Sequence, residues 1–385
     1  MKGSIFKRKA SQDTWTIVLE LDPGADRKRR RAWYTVRGSY RDAQRKRTEL
    51  LQAQQTGTYV EPNRMTVETV LNKWVATKKD LAHKTQERYA EIVKVHLVPA
   101  LGRHLLEKLR PLDIQDYYAK ARASGRKRKG GGPLAARTVL HHHRVLREAL
   151  QQAVRWRLLT VNPADAVEAP RAARAEIHAL DEADAAKLIK LSIGTRLEIP
   201  ITLALTTGMR RGELLGIRWQ DLDVDAGTLS VRQSLEHTKE AGLVFKAPKT
   251  GKGRRIDLGS IALDALRRHK LAQEQEKRWG SAYTDRDLIC AEPDGRPWHP
   301  DAMSSAYRKL LADHELSGIR FHDLRHTHAT HLLRQGVSPK IVAERLGHAT
   351  VAMTLDTYSH VLPGMQADAA GKVDAVLRQA MQSGK

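Results

Sequence analysis

The first sixty residues alternate apolar and polar side chains before the pattern becomes helical. Four apolar residues recur at every second position, which is typical of a half-buried strand: Trp15, Ile17, Leu19 and Leu21. A turn at 22–24 and a basic run lead to a second predicted strand at 32–37. Ser39, with Asp42 three residues later, indicates a helix start. Residues 1–60 therefore predict a small sheet with one helix and many exposed cations, a plausible DNA-binding module.

A helical period begins at Thr66. One apolar stripe falls on a single helix face: Val67, Val70, Leu71, Trp74 and Val75. A second stripe follows: Tyr89, Ile92, Val93 and Leu97. A third helix is expected after Pro111-Leu112-Asp113, with Asp113 as its cap. A fourth has an apolar residue at every fourth position: Leu146, Leu150 and Val154. Four helices without a catalytic cluster predict a DNA clamp over residues 65–165.

Two polar segments of this helical region bear on ligand binding. The run from Arg126 to Gly132 is cationic and rich in glycine, which suits phosphate contacts. Residues 141–143 are three consecutive histidines. Consecutive helical residues point about 100° apart, so these rings cannot converge on one metal ion. We expect them at the surface or on phosphates.

Residues 166–178 contain Pro170 and Arg171 without apolar periodicity and are predicted to be a linker. At 385 residues the chain exceeds a single ordinary core. We expect three domains, 1–60, 65–165 and 179–385. The fold class predicted is mainly α with small β elements, and the last domain is mostly helical with a β-hairpin.

The net charge of the chain favours a polyanionic binding partner. Lys and Arg total 67 against 44 Asp and Glu, a formal net charge of +23. This excess favours nucleic acid. Cys290 is the only cysteine, so an intrachain disulfide and a cysteine-based zinc site are excluded. The basic N-terminus lacks the apolar stretch of a signal peptide, and the apolar run at 197–205 is too short for a membrane span. A cytoplasmic, DNA-associated protein is expected.

The last 180 or so residues contain candidates for phosphodiester transfer without a metal. Such a reaction needs a nucleophile, cations on the nonbridging oxygens, an acid and a base. Arg210, with Glu213 three residues on, should leave a turn after an apolar helix. The segment 246–258 is predicted to be a hairpin with lysines at its tip. His322 and Arg325 should share one helix face, and His348 precedes Tyr358 by ten residues.

Each of these features is common alone, but their order is specific. The set resembles the catalytic domain of the tyrosine recombinase (phage integrase) family, whose signature is Arg, Lys, His-x-x-Arg, His or Trp, Tyr. The matching residues are Arg210, Lys249, His322, Arg325, His348 and Tyr358. The flanking segments 216–221 and 346–348 match as well. The resemblance covers residues 180–362. It extends less specifically to residues 65–165, which resemble the family's core-binding domain. Residues 1–60 are similar to the arm-binding domain of longer integrases.

The resemblance implies a site-specific DNA recombinase of a prokaryotic mobile element. Tyr358 would attack the phosphate and form a 3′-phosphotyrosine. Arg210 and Arg325 would hold the phosphate, with a hydrogen bond from His348. His322 would accept or relay the tyrosine proton, and Lys249 would protonate the leaving 5′ oxygen. The family uses no metal and no cofactor, and four protomers exchange strands through a Holliday junction.

The expected partners are core and arm attachment sites in double-stranded DNA, with accessory DNA-bending or directionality proteins and no membrane. Basic residues in two segments are the predicted DNA contacts: Arg27, Lys28, Arg29, Arg30, Arg31, Arg126, Lys127, Arg128 and Lys129. Residues 366–382 predict a C-terminal helix with one apolar face, docking either on its own protomer or on a neighbour.

Four alternatives stay open at this point. Lys252 competes with Lys249 as the acid. A type IB topoisomerase-like or telomere-resolving enzyme would use the same residues, and an idle DNA-binding protein is a further reading. The last alternative is a metal site formed by the histidines at 326, 328 and 331, because His322 and His326 are four positions apart on a helix. No acidic third ligand is obvious, however.

Overall fold

The computed structural model of the chain describes residues 3–7, 13–21, 30–127, 131–173, 178–248, 251, 253–279, 283–314, 316, 318–358 and 365–383. The chain divides into two compact units, Met1–Arg174 and Ala175–Lys385. Several residues proposed above lie outside the described ranges: Arg27, Lys28, Arg29, Arg128, Lys129, Lys249 and Lys252. Within those ranges the protein is mainly α-helical with small antiparallel sheets, which confirms the predicted fold class.

The N-terminal module is an antiparallel sheet covered by one helix. Its elements are β1 (Gly3–Lys7), β2 (Thr14–Leu21), β3 (Arg30–Arg37) and α1 (Tyr40–Gln55), with β2 in the centre. The sequence predicted β2, β3 and α1, and the structure confirms them. Ser39 and Asp42 form the predicted capping box, with each side chain accepting from the other residue's backbone nitrogen. The apolar pattern does not predict β1, because the strand has five residues and exposes Phe6.

The helical part of the first unit encloses its own apolar core. Its helices are α2 (Val67–Ala76), α3 (His83–Ile92), α4 (Val98–Leu101), α5 (Pro111–Ser124) and α6 (Ala136–Arg155). A π-helical stretch, Val93–Leu97, joins α3 to α4, so the second predicted stripe lies on one continuous helix. Asp113 is not the cap of α5. It is the third helical residue, and its Oδ2 accepts from the backbone nitrogen of Arg110 at 2.9 Å.

The predicted surface role of the histidine triplet is wrong for two of its members. His142 is fully buried and His143 is 8% exposed. Their Nδ1 atoms lie 2.8 and 2.9 Å from the hydroxyls of Tyr117 and Tyr118 on α5. Burial lowers the pKa of His142 to about 3, so the ring is neutral at physiological pH. These histidines join α5 to α6 inside the core.

The second unit is built on a helix that is buried on all sides. This helix, α8 (Glu198–Thr207), packs against three neighbours: α7 (Glu182–Ser192), α10 (Ser260–Trp279) and α12 (Asp323–Arg334). The remaining helices are α9 (Arg211–Leu214), α11 (Pro300–Asp313), α13 (Pro339–Leu346), α14 (Val351–Tyr358) and α15 (Met365–Ser383). The packing of α12 on α8 brings distant parts of the sequence together.

The lysine-bearing segment does not form the predicted hairpin. Two small antiparallel sheets occur among the described residues of this unit: β4 (Leu222–Asp223), β5 (Thr228–Val231) and β8 (Arg254–Asp257), and a hairpin of β6 (Ser234–Thr238) and β7 (Gly242–Lys246). The strands on either side of the lysines therefore pair with different partners, β7 with β6 and β8 with β5. A glycine-containing segment between two strands does not determine which strands pair.

The C-terminal helix α15 exposes the apolar face that the sequence predicted. Val373, Val376, Leu377 and Met381 are 55% to 78% exposed. None of the helices in the described ranges has the length and apolarity to cross a lipid bilayer.

Candidate active site

Five of the six residues of the predicted catalytic set line one cavity of about 810 Å³: Arg210, His322, Arg325, His348 and Tyr358. They come from the start of α9, from α12, from the turn after α13 and from the end of α14. The sixth, Lys249, lies outside the described residues. Two cavity residues that the sequence did not single out for this site are Arg254 and His326.

Arg210 is positioned by a helix end and a helix start. Gly208 ends α8 in the left-handed conformation, with φ of 67°, and a Cβ there would lie 2.5 Å from Leu346. The chain then turns so that Arg210 caps α9, and its Nη1 donates to Oε1 of Glu213 at 2.8 Å, as predicted. Its Nη2 donates to the carbonyl oxygen of Gly347 at 3.1 Å. The guanidinium is therefore held on two sides and remains a quarter exposed.

Glu213 is a buried carboxylate shared by two arginines. Besides Arg210, it accepts from Nη2 of Arg254 at 2.7 Å and from Nη1 at 3.1 Å. Burial acts to raise the pKa of Glu213, but the hydrogen bonds and charge of Arg254, together with Arg210, lower it to about 2. Nε of Arg254 also donates to the carbonyl oxygen of Arg345 on α13. This arrangement fixes β8 against both α9 and α13.

Arg325 is 3% exposed and points into the same cavity. Its Nη1 donates to the carbonyl oxygen of Gly208 at 2.7 Å. Its Nη2 is buried and makes no hydrogen bond to any described residue. Burial, with the charge of Arg210, lowers the pKa of Arg325 to about 9, so the group is still a cation at neutral pH. One of its donors is thus buried without a partner among the described residues.

His322 and His348 line the same cavity as the arginines. His322 caps the N-terminus of α12 and presents its ring to the cavity. His348 follows Gly347, and its Nδ1 lies 2.8 Å from Oγ1 of Thr354. Their desolvated surroundings, with the nearby cations, lower the pKa of each ring to about 4. His322 is exposed as a residue, and the positive charge of Arg325 adds to the effect of partial burial in lowering its pKa. Both rings are therefore neutral at neutral pH.

Tyr358 is the last residue of α14 and is 1% exposed. Its ring packs in a small apolar cluster with Ala329, Leu333, Val342 and Leu346. Its hydroxyl oxygen lies 2.7 Å from Nδ1 of His326. Burial raises the pKa of Tyr358 to about 12, although the charge of Arg325 acts to lower it. The partner of the hydroxyl is His326, one helical turn beyond His322.

The three histidines considered for a metal bind separate partners. Nδ1 of His326 contacts the hydroxyl of Tyr358. Nδ1 of His328 is 2.9 Å from the carbonyl oxygen of Leu205, and Nε2 of His331 is 2.9 Å from the carbonyl oxygen of Leu180. In the described ranges, the group with metal-ligand spacing is a different one, formed by His237, His299 and Asp301. Nδ1 of His299 there accepts from the backbone nitrogen of Asp301 at 3.1 Å, which makes it an N-cap contact.

The predicted DNA contacts in the first unit are partly described. Arg30 is ion-paired with Glu61, and Arg31 lies 3.9 Å from Glu20. All four of these side chains are about half exposed. Arg126 and Lys127 follow α5, and Lys127 lines a separate cavity with His96 and Lys120.

The second-unit cavity can hold a phosphate beside a hydroxyl. Arg210, Arg254 and Arg325 line it together with the exposed Glu344. Arginine donors in a fork suit the nonbridging oxygens of a phosphodiester. A tyrosine hydroxyl next to such an anion site is the arrangement that covalent phosphoryl transfer requires.

Comparison with known proteins agrees with this chemistry. The Phage integrase family profile matches residues 176–364, and the profile of the phage integrase N-terminal SAM-like domain matches 66–121. An integrase of Saccharopolyspora erythraea is 26% identical over 80% of this chain and 82% of that protein. The ICEBs1 integrase of Bacillus subtilis is 28% identical over 72% and 76% of the two chains.

Solved structures show the same fold. The Tn1549 transposon integrase, in complex with transposon right end DNA, gives a TM-score of 0.69 at 20% identity, covering 80% of this chain and all of that one (100%). A lambda integrase dimer bound to a COC′ core site gives a TM-score of 0.57 at 19% identity, covering 93% and 96%. The chain belongs to the phage integrase family. It is a tyrosine recombinase, an enzyme of site-specific DNA breakage and rejoining in mobile elements.

Proposed function

We propose that Tyr358 is the nucleophile of this recombinase and that Arg210 and Arg325 bind the scissile phosphate. The observation that carries the proposal is the convergence of both guanidinium groups and the tyrosine hydroxyl on one cavity. Attack by the hydroxyl oxygen forms a 3′-phosphotyrosine and releases the 5′ oxygen. The bond energy is kept in the ester, so a second strand can be joined without ATP.

The two arginines have complementary roles in this scheme. Arg210 is oriented by Glu213 and Gly347 and remains accessible, whereas Arg325 is buried with one nitrogen unpaired among the described residues. An anion between them would complete the hydrogen bonds of both. Because these donors are in place before DNA binds, they stabilise the charge that builds up in the transition state without reorganisation.

Proton transfers need an acid and a base near the phosphate. Lys249 is proposed as the acid for the leaving 5′ oxygen, with Lys252 as the competing candidate. The neutral rings of His322, His326 and His348 line the same cavity as the tyrosine and the arginines. His348 is proposed to donate a hydrogen bond to the phosphate, and the remaining two rings would supply an acceptor for the tyrosine proton.

The rest of the chain is proposed to bind and arrange DNA. Residues 65–165 would form the core-site clamp, 166–178 the linker and 179–385 the catalytic domain. The sheet and helix at 1–60 would bind arm sites, which is supported by its many basic residues. Four protomers would assemble on paired sites, with accessory DNA-bending or directionality proteins, in a prokaryotic host.

The nucleophile assignment is tested by covalent trapping. Duplexes selected from a random library by the Tyr358→Phe protein would define the core site, because the variant lacks only one hydroxyl of a large basic interface. A nicked suicide duplex containing that site should give a denaturation-resistant adduct with the natural protein and none with Tyr358→Phe. Tyr307→Phe is the matched control, since Tyr307 is also buried but does not line this cavity, and it should form the adduct. An adduct with Tyr358→Phe would refute the assignment.

The topoisomerase-like alternative is separated by two assays on the same DNA. A recombinase joins two sites into new products, whereas a relaxing enzyme changes only the supercoiling of a single-site plasmid. Relaxation without recombinant products would favour that alternative.

A further inference from the structure

The hydroxyl of Tyr358 lies in hydrogen-bond contact with a histidine outside the family signature. Nδ1 of His326 is 2.7 Å from the hydroxyl oxygen, and the centroids of the two rings are 5.7 Å apart. His326 follows Arg325 directly and lies one helical turn after His322. The ring of His322 meets that of His326 edge-on, with centroids 5.0 Å apart. The order in space is therefore His322, His326, Tyr358.

The tyrosine cannot attack without losing its proton. Its pKa is raised to about 12 by burial, so the phenol is protonated at neutral pH. The apolar cluster around the ring fixes where the hydroxyl lies. A base must therefore take the proton as the oxygen approaches phosphorus, and it must be within hydrogen-bond reach.

The surroundings of His326 suit that base. Burial and the charges of Arg325 and Arg320 lower its pKa, which keeps the ring neutral and able to accept a proton. The carboxylate of Asp323, three residues earlier on α12, acts in the opposite direction and favours the imidazolium once it forms. Asp323 is itself fully buried and held by three hydrogen bonds from Arg320. Its charge is thus fixed near the ring.

We propose that His326 is the catalytic residue that accepts the Tyr358 proton during strand cleavage, which leaves His322 to contact the phosphate. The proposal rests on the proposed nucleophile. In the step, the hydroxyl O–H bond breaks and its proton passes to Nδ1 of His326. An oxygen electron pair forms the new O–P bond, the bond from phosphorus to the 5′ oxygen breaks, and the leaving oxygen takes a proton from the acid. On rejoining, the imidazolium returns the proton to the tyrosine.

Two variants and a small-molecule base test the proposal on the nicked duplex. His326→Asn places an amide near Nδ1 that cannot serve as a base, and His326→Ala opens space in the cavity wall. Both should bind the duplex normally and cleave it slower by about 10²–10⁴-fold, the usual contribution of general base catalysis. Added imidazole should restore part of the His326→Ala rate, in proportion to the neutral imidazole present at each pH. A purely structural histidine would not give this dependence.

His331 supplies the matched control, because it is on the same helix, partly buried and hydrogen-bonded, but does not line the cavity. His331→Ala should gain nothing from imidazole. Two outcomes would overturn the proposal: cleavage by His326→Asn at nearly the natural rate, or imidazole rescue of His322→Ala but not of His326→Ala. Either can occur while Tyr358→Phe still abolishes the adduct, so the base and the nucleophile are tested separately.

Discussion

Nη2 of Arg254 lies 2.7 Å from Oε2 of Glu213, whose other oxygen holds Nη1 of Arg210 at 2.8 Å. One buried carboxylate therefore connects Arg210, an arginine proposed to bind phosphate, to the strand that follows the lysine segment. Movement of β8 would be transmitted to Arg210 through a single side chain. The carboxylate serves both the geometry of the site and the stability of the unit.

Glu213→Gln should destabilise the protein by about 3–5 kcal/mol, because it leaves two partly buried arginines without their counter-charge. The pKa of Glu213 is lowered from 4.5 to about 2, so its stabilisation is complete above pH 4.5 and is lost as the pH falls through 2. The difference in melting temperature between the two proteins should therefore be largest at neutral pH and shrink below pH 4.5. Asp264→Asn is the control, since its pair with Arg267 is exposed, and it should change stability by less than about 1 kcal/mol. A pH-independent difference would contradict the charge argument.

The assignment of the acid is tested with a modified leaving group. Lys249→Ala should cleave the nicked duplex several orders of magnitude slower than the natural protein, because the 5′ oxygen then leaves without a proton. A 5′-thio leaving group does not need the acid, so it should restore cleavage in this variant. Lys252→Ala should cleave both substrates alike. Thio rescue of Lys252→Ala would transfer the acid role to Lys252.

Deletion of residues 1–60 should leave DNA binding at the core site intact and abolish protection of a second DNA segment. The deleted module is a basic sheet with one helix, and its DNA affinity should fall steeply with salt. Footprints of the full-length and shortened proteins on natural attachment DNA provide the measurement. Identical footprints would exclude an arm-binding role.

The apolar face of α15 should matter for assembly. Val376 and Leu377 are 66% and 55% exposed, and replacing both with Asp should disrupt a DNA-bound tetramer without lowering the melting temperature of the free protein. Native gels of the protein on paired core sites measure the assembly. Ala375→Asp adds a charge on the opposite side of the helix and should assemble normally. A lower melting temperature with normal assembly would instead indicate docking within one protomer.

The sequence predicted the positions where local pattern determines structure. The strands β2 and β3, the capping box of α1 and the pairing of Arg210 with Glu213 follow from periodicity and spacing, and all three are confirmed. Contacts between distant segments were harder to predict. Local sequence does not distinguish Arg254 from its exposed neighbour Arg255, because only the pairing of β8 with β5 decides which side chain faces Glu213.

Two histidine predictions show the same limit. The surface role expected for the triplet is wrong for His142 and His143. The sequence could not reveal their partners, because Tyr117 and Tyr118 lie 25 residues away and contact them only through the packing of α5 on α6. His326 had a usable signal, since it is four residues after His322 and so shares its helix face. That spacing was interpreted only in terms of metal ligands, because the position of Tyr358 relative to α12 is a tertiary property.

Both arginines proposed to bind phosphate donate a hydrogen bond to the carbonyl group of the glycine that ends a helix. Gly208 ends α8 and accepts from Arg325, and Gly347 ends α13 and accepts from Arg210, each glycine with a φ near +68°. The lengths of these two helices are therefore part of the chemistry. One inserted residue would rotate the terminal carbonyl by about 100° and leave its arginine without an acceptor. A substitution on the exposed face of α13 would leave both acceptors in place, whereas a change in where α8 or α13 stops would remove one of them.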